Sequence, residues 1–341
     1  MMKTAEMNWL SAANNAIYQP GQQTGHYESY FLRANHPDRP LAFWIRYTIF
    51  NPHGRPEKAI GELWAVYFNG ETPSHTAVKK ELPIGQCSFS RLGIDVSIGD
   101  ALLNKDRLRG SATSRDHTIS WDLSYAGNSR PLFLLPLKMY SGKFPKAKAC
   151  VPLPMACYNG TLTVDGSQIK IENWVGSQDH NWGSKHTDLY AWGQVAGFDN
   201  SPNSFLEVAT ARVKIGPVWT PRMTPIVLRH KGQEYALNSM VQTIRAEGGF
   251  SYFDWHFASA DDDVNLKGRI YAGRELFAGL NYYNPPGGSK HCLNSKLATC
   301  ELRITYKRGA GKGVSELLYT KHRAAFEILT DLRDHGIAIQ V

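Results

Sequence analysis

The chain has 341 residues, 42% of them hydrophobic and 11% aromatic, enough apolar material to bury the cores of two ordinary domains. Its formal charge is +8, but lysine and arginine are scattered and the densest cluster is only Lys143, Lys146 and Lys148. That pattern argues against a nucleic-acid partner and leaves a solvated basic surface, with room for a peripheral membrane contact. No apolar run approaches the roughly 20 residues that span a bilayer, and the opening Met1–Trp9 has no apolar signal-peptide core. The five cysteines (Cys87, Cys150, Cys157, Cys292, Cys300) are odd in number and unpatterned, so a cytoplasmic protein with free thiols is expected.

Along the chain, residues 1–19 read as a short helix or irregular lead-in. Alternation then predicts strands over 25–35, 41–50 and 60–68, the last stopped by the hairpin signal Asn69-Gly70. Shorter strands follow at 77–82, 87–91, 94–98, 106–113 and 117–124. Residues 132–137 and the proline-rich 145–154 read as an irregular crossing segment, after which Asn159-Gly160, Asp165-Gly166 and Gly176 punctuate three short strands.

The second half repeats the style, with strands at 189–198 and 204–213, then 225–231, 234–238, 240–247, 250–258, 264–271, 276–283, 298–307 and 317–328. The glycine-rich stretch 308–313 separates the last two as a flexible linker. Many strands with regular turn signals and no sustained helical period imply an antiparallel all-β fold. Two similar β-units are expected, 1–185 and 186–341, joined near 184–188.

Chemistry concentrates in Trp174-Val175-Gly176-Ser177-Gln178-Asp179-His180-Asn181-Trp182-Gly183, followed by His186, Asp188, Tyr190 and Trp192. The window reads as a glycine-hinged turn that delivers His180 and Trp182 to the mouth or interior of a β-structure. Ordinary turn chemistry would also account for Asn-Trp-Gly, with Trp182 in the core and His180 a satisfied donor. Four hydrogen-bonding side chains in a row beside indoles favour a site, because burying them in a plain turn is costly. An Asp179-His180 pair against indoles suits proton transfer to a hydrophobic molecule.

No metal site is read here: His180 and His186 lack partners at zinc spacing, and Asp261-Asp262-Asp263 reads as a solvated turn. No cofactor motif is found either, since Gly309-x-Gly311-x-Gly313 is not followed by a helix. Glu207 stands out in Phe205-Leu206-Glu207-Val208-Ala209, where alternation puts Phe205, Glu207 and Ala209 on one face. If that face points into the second barrel, burial keeps the carboxyl protonated, as a general acid requires. Glu28, with His26 and Tyr30, is a weaker candidate of the same kind.

Asp179-His180-Asn181-Trp182-Gly183 with Tyr190-Ala191-Trp192-Gly193-Gln194 resembles the signature of the carotenoid hydratase (hydroxyneurosporene synthase, CrtC) and AttH-like group. It is also similar to the Asn-Trp-Gly followed by Trp-x-Gln of tocopherol cyclases. Tyr27-Glu28-Ser29-Tyr30-Phe31-Leu32-Arg33 is like the entry strand of the same group. The resemblance implies two consecutive lipocalin-like (calycin-type) β-barrels with a cavity for an isoprenoid-like or polyketide-like ligand.

It further implies a cofactor-independent hydratase, or an intramolecular cyclase or isomerase, that protonates a carbon–carbon double bond. The expected catalytic residues are His180, Asp179 and Glu207; the expected substrate contacts are Trp182, Asn181, Tyr190, Trp192, Phe205 and Trp174. The hydratases carry Tyr-x-Asp where this chain has Phe205-Leu206-Glu207, a change that keeps the acid but loses a phenol. A non-catalytic carrier of a lipid or pigment is the alternative, and barrels with filled interiors serving as interaction surfaces are a third reading.

Overall fold

The structure, a computed structural model, describes residues 9–309 and 311–341. Most of the reading of the N-terminal nine residues, and Ala310 of the glycine-rich linker, lie outside that description. Residues 9–12 form a helical turn at the start of an otherwise irregular lead-in.

Two antiparallel sheets follow. The first contains β1 (His26–Asn35), β2 (Leu41–Asn51), β3 (Ile60–Asn69), β4 (Thr76–Pro83), β5 (Cys87–Phe89), β6 (Val96–Ile98) and β7 (Ala101–Leu103). It continues with β8 (Arg107–Ser114), β9 (His117–Ala126), β10 (Leu132–Phe133), β11 (Ala147–Val164) and β12 (Ser167–Gly183). Its order is β4-β3-β2-β1-β12-β11-β9-β8-β7-β6-β5, with β10 beside β11. Ser114 Oγ donates to Lys79 O at 2.9 Å and accepts from Lys79 N at 3.1 Å, drawing β8 onto β4 so that the sheet curls into a barrel.

The second half holds β13 (Leu189–Phe198), β14 (Ser201–Arg212), a separate hairpin of β15 (Lys214–Ile215) and β16 (Val218–Trp219), β17 (Ile226–His230) and β18 (Gln233–Leu237). After α1 (Met240–Arg245) come β19 (Glu247–Ser251), β20 (Asp254–Ala260), β21 (Val264–Tyr271), β22 (Ala278–Tyr283), β23 (Ser289–Tyr306) and β24 (Ser315–Thr330). The second sheet runs β18-β17-β14-β13-β24-β23-β21-β20-β19, with β22 beside β23. Among the described residues, no helix is long and apolar enough to cross a membrane.

The all-β double-barrel architecture is the one expected, with three local differences. Residues 147–154 belong to the long β11; Pro152 and Pro154 sit where its register with β12 shifts, sites at which a missing N–H is tolerated. Residues 240–245 are helical, not a strand: Ser239 Oγ accepts from Gln242 N and the Gln242 side chain returns to Ser239 N, a capping box readable as Ser-x-x-Gln. Finally, 174–183 is no turn but the end of the unbroken β12, paired residue by residue with β1 from Val175 to Gly183.

Alternation divides these strands cleanly. In β1 and β2, Tyr30, Leu32, Ala34, Phe43 and Ile45 fill the first barrel, while Phe31, Ala42 and Trp44 face the other way. In β13 and β14, Ala191, Val195, Leu206 and Val208 fill the second barrel, while Trp192, Ala196 and Phe205 face out. The outward faces of the two barrels pack on each other, so these strands are buried on both sides. That explains the near-continuous apolar run Leu41–Phe50.

Gly176 lets β12 lie close on β1: a Cβ there would sit 1.7 Å from Arg33 O. Gly176→Ala is expected to destabilise the fold by about 2 kcal/mol or more in urea unfolding, because a backbone atom cannot move aside. Gly85→Ala, with nothing within 4 Å of its new Cβ, should change stability by less than about 0.5 kcal/mol.

Candidate active site between the barrels

Because β12 is a strand, Asp179 and His180 point to opposite faces and do not form a pair. His180 points into the first barrel. Its Nε2 lies 2.9 Å from Glu28 Oε1, its Nδ1 lies 2.7 Å from Ala13 O, and its ring stacks on Tyr30. Glu28 also accepts from Ile17 N and Tyr18 N, each at 2.7 Å, and lies 2.9 Å from His26 Nε2. Burial alone would raise the Glu28 carboxyl, but the hydrogen bonds and charges of His180 and His26 hold it down at about 2. The cluster therefore fastens residues 13–18 across the end of the barrel. Trp182 belongs to this plug, stacked against Trp9 and beside Tyr140. Trp174 sits deep in the first barrel against Phe43.

Asp179 faces the gap between barrels. Its carboxylate accepts from Ser177 Oγ at 2.5 Å and from Gln194 Nε2 at 2.7 Å, the latter crossing from β13 of the second barrel. Gln194 is paired in register with Glu207 on β14. Arg33, fully buried on β1, donates from Nε to Gln194 Oε1 at 2.5 Å and from Nη1 to Asn35 Oδ1 at 2.9 Å.

Glu207 was expected to point into the second barrel; its face turns out of it and toward the first. It is buried all the same, because the first sheet covers that face. Its Oε1 accepts from Trp192 Nε1 at 2.7 Å, and Oε2 has no partner. Burial, then the charge of Asp179, pushes the Glu207 carboxyl well above the carboxylate range. Burial likewise lifts Asp179 to about 7, against the hydrogen bonds of Ser177 and Gln194 and the charge of Arg33. Near neutrality the pair thus keeps a proton, held on Glu207.

These carboxyls line a cavity of about 200 Å³ together with Asn181, Tyr190 and Trp192. Tyr27, Trp44, Tyr282, His186, Arg46 and Glu327 complete its inner wall. Clefts for small molecules usually enclose ~300–1,000 Å³, so this one holds the reacting end of a ligand more readily than a whole one. It reaches solvent where Phe144, 49% exposed, and Met240, 38% exposed, contribute to the lining. His186, stacked on Tyr27, is held neutral: burial, then the charges of Arg46 and Lys290, drives its imidazole down to about 3.

Five of the expected site residues therefore meet in one cavity: Asp179, Glu207, Asn181, Tyr190 and Trp192. His180, Trp182, Phe205 and Trp174 do not line it; strand alternation turns the two β12 indoles and His180 into the first barrel, and Phe205 packs with Leu132, Val151 and Val227. Sequence reasoning missed Arg33, Arg46 and Gln194. Both arginines carried a readable signal, a lone cation inside an apolar strand. Arg46, buried, stacks on Tyr282 with its Cζ 4.4 Å from the ring centroid and donates from Nη2 to Ser29 Oγ at 2.6 Å. Its Nε has no partner. Among the described residues, no three His, Cys, Asp or Glu side chains gather as a metal site.

No family model matches the chain. Uncharacterized proteins from two strains of Mycobacterium tuberculosis are 24% identical over 287 residues, covering 82% of this chain and 82% of theirs. Among solved structures, kievitone hydratase from Nectria haematococca superposes with a TM-score of 0.56 at 14% identity, covering 92% of this chain and 91% of its own. An AttH-like protein from Nitrosomonas europaea gives 0.52 at 12% identity over 90% and 92%, and CghA gives 0.50 at 13% over 94% of each. The double-barrel fold that the sequence resemblance implied is thus the fold these proteins share.

Both raised carboxyls bind more protons folded than unfolded. Their contribution to stability is present in full below the unfolded carboxylate range, near pH 4, and is lost as pH rises through about 7. Removing one acid relieves the other, so Glu207→Gln should melt higher than the parent at pH 8, by about 1–2 °C for each kcal/mol relieved, and the difference should shrink toward pH 4. Calorimetric melting curves across pH 4–9 check this.

Proposed function

We propose that this chain is an acid-catalysed hydratase or cyclase/isomerase acting on a hydrophobic, isoprenoid-like or polyketide-like molecule. The observation that carries the reading is the Glu207 carboxyl, kept protonated beside a second carboxyl, with one oxygen unpartnered against an aromatic cavity wall. A carrier needs no such acid, and a buried polar atom left without a partner costs stability unless a ligand or a reaction uses it. The hydratase among the structural neighbours is in keeping with this chemistry.

In this reading Glu207 delivers its proton to one alkene carbon and becomes a carboxylate, while the other carbon takes the positive charge. The faces of Trp192 and Tyr190 lie beside that charge; such contacts are worth ~0.5–2 kcal/mol each, a help but not the barrier. Water, or an oxygen of the substrate in a cyclisation, adds to the cation and gives up its proton to Asp179. Transfer of that proton back to Glu207 restores the pair. Without a nucleophile, loss of a neighbouring proton to Asp179 gives an isomer. Arg46, another residue of the cavity lining with an unpartnered N–H, would hold an oxygen function of the substrate.

His180 has no part in proton transfer here; it holds the N-terminal strap. An incubation panel of apolar alkenes in deuterium oxide, read by mass spectrometry, tests the reading. Deuterium should enter carbon in the parent, with turnover reduced about 10²–10⁴-fold in Glu207→Gln and comparably in Asp179→Asn. Parent-like rates in both variants would dismiss the assignment, and co-purified lipids that pass through incubation unchanged would favour a carrier.

A further inference from the structure

We propose that the mouth of the inter-barrel cavity is a docking surface for an anionic membrane, against which the protein sits peripherally to receive or release its apolar ligand. Three segments far apart in sequence meet at this mouth. They are the irregular stretch 136–148, the stretch 212–224 containing the β15–β16 hairpin, and α1 with the residues flanking it. Phe144 and Pro145, Val213 and Met223, and Met240 and Thr243 all line the one cavity, which places the segments together.

Each segment turns apolar side chains to solvent. Phe144 is 49% exposed, Ile215 and Val218 at the hairpin tip are 65% each, and Val241 and Ile244 on α1 are 58% and 49%. Isolated exposed apolar residues are ordinary, but six, these five and Met240, on the three segments that share one opening, form a patch across a hairpin tip, a loop and a helix face.

Charge decides what covers the patch. Residues 136–148, 212–224 and 238–246 hold Lys138, Lys143, Lys146, Lys148, Arg212, Lys214, Arg222 and Arg245, and no aspartate or glutamate. Six of these eight are exposed; Lys148 is tied to Gly142 O and Pro145 O, and Arg212 lies over Trp219. Among the described residues, Glu247 lies just beyond α1, and Asp188, which accepts from Lys214 N, is already paired with Lys185 at 2.6 Å. Apolar tips inside a ring of unopposed cations fit a bilayer interface rich in anionic lipid, where the tips enter the headgroup boundary and the cations meet phosphates. A second copy of the chain would bring cations against cations, so self-association through this face is disfavoured. The short inner cavity then makes sense: a long apolar molecule can keep its tail in lipid while its head enters. The surface stands whether or not the cavity is catalytic.

Co-sedimentation with vesicles tests this, using phosphatidylcholine alone and phosphatidylcholine mixed with phosphatidylglycerol. The protein should pellet with the anionic vesicles at low salt and be released as salt rises. The Ile215→Asp/Val218→Asp and the Lys143→Glu/Lys146→Glu variants should each weaken that binding by about tenfold or more while melting like the parent. Absence of binding to anionic vesicles, or binding that neither variant alters, would overturn the proposal. So would a dimer in light scattering that the hairpin variant dissolves, since the patch would then be covered by a second copy.

Discussion

Two carboxyls, one from each barrel, share a dry gap that can hold only one of their negative charges comfortably. Asp179 on β12 and Glu207 on β14 are both buried; the Arg33 guanidinium favours ionisation of either, and the Lys296 ammonium favours that of Asp179. Separating two like charges from water at short range is expensive, so the group with fewer hydrogen bonds keeps the proton. Asp179 accepts close hydrogen bonds from Ser177 and Gln194, whereas the one close bond to Glu207 comes from Trp192. The difference in partners assigns the roles. Everything that positions the pair depends on how the two sheets dock: Gln194 reaches across from the second barrel to Asp179, and Arg33 reaches across from the first to Gln194.

Strand geometry separates this acid pair from a second polar centre that is its neighbour in sequence. His180, His26 and Glu28 form a hydrogen-bonded cluster inside the first barrel, with each oxygen of Glu28 meeting one backbone N–H and one imidazole nitrogen. Its satisfied bonds fix the chain before β1 and leave nothing free for a ligand. The acid pair has the opposite character, with an unpartnered oxygen on Glu207 and an unpartnered N–H on Arg46, two residues that line the same cavity. Saturated polar groups hold structure; unsaturated ones in a cavity are where a ligand's atoms are missing.

Much of this was legible in the sequence. The alternation in β1, β2, β3 and β13 located those strands to within a residue, and that in β14 to within three. The Glu207 face was also readable, as Phe205, Glu207 and Ala209 do lie together. What alternation cannot say is which face is inside a barrel, because strands buried on both sides look alike from either side. Hence the two options that alternation offers for Glu207, inside the second barrel or outside it, both miss the observed one, outside that barrel and buried against the first. The turn reading of 174–183 failed for a different reason. Gly176 is there to let two backbones touch, not to bend one, and glycine serves both purposes. Once that stretch is a strand, period two alone sends Asp179 and His180 apart and removes Trp182 and Trp174 from the cavity.

The central claim is a neutral carboxylic acid at Glu207 near pH 7, and infrared difference spectroscopy reads that state directly. Protonated and ionised carboxyls have well-separated carbonyl stretches, and the spectrum of the parent minus that of Glu207→Gln, set beside that of Asp179→Asn minus the double variant, separates this group from its neighbour. The account predicts a protonated-acid band at pH 7 that is present in the parent, absent from the variant and shifted in deuterium oxide. A difference spectrum showing only carboxylate bands for Glu207 at pH 7 would contradict it.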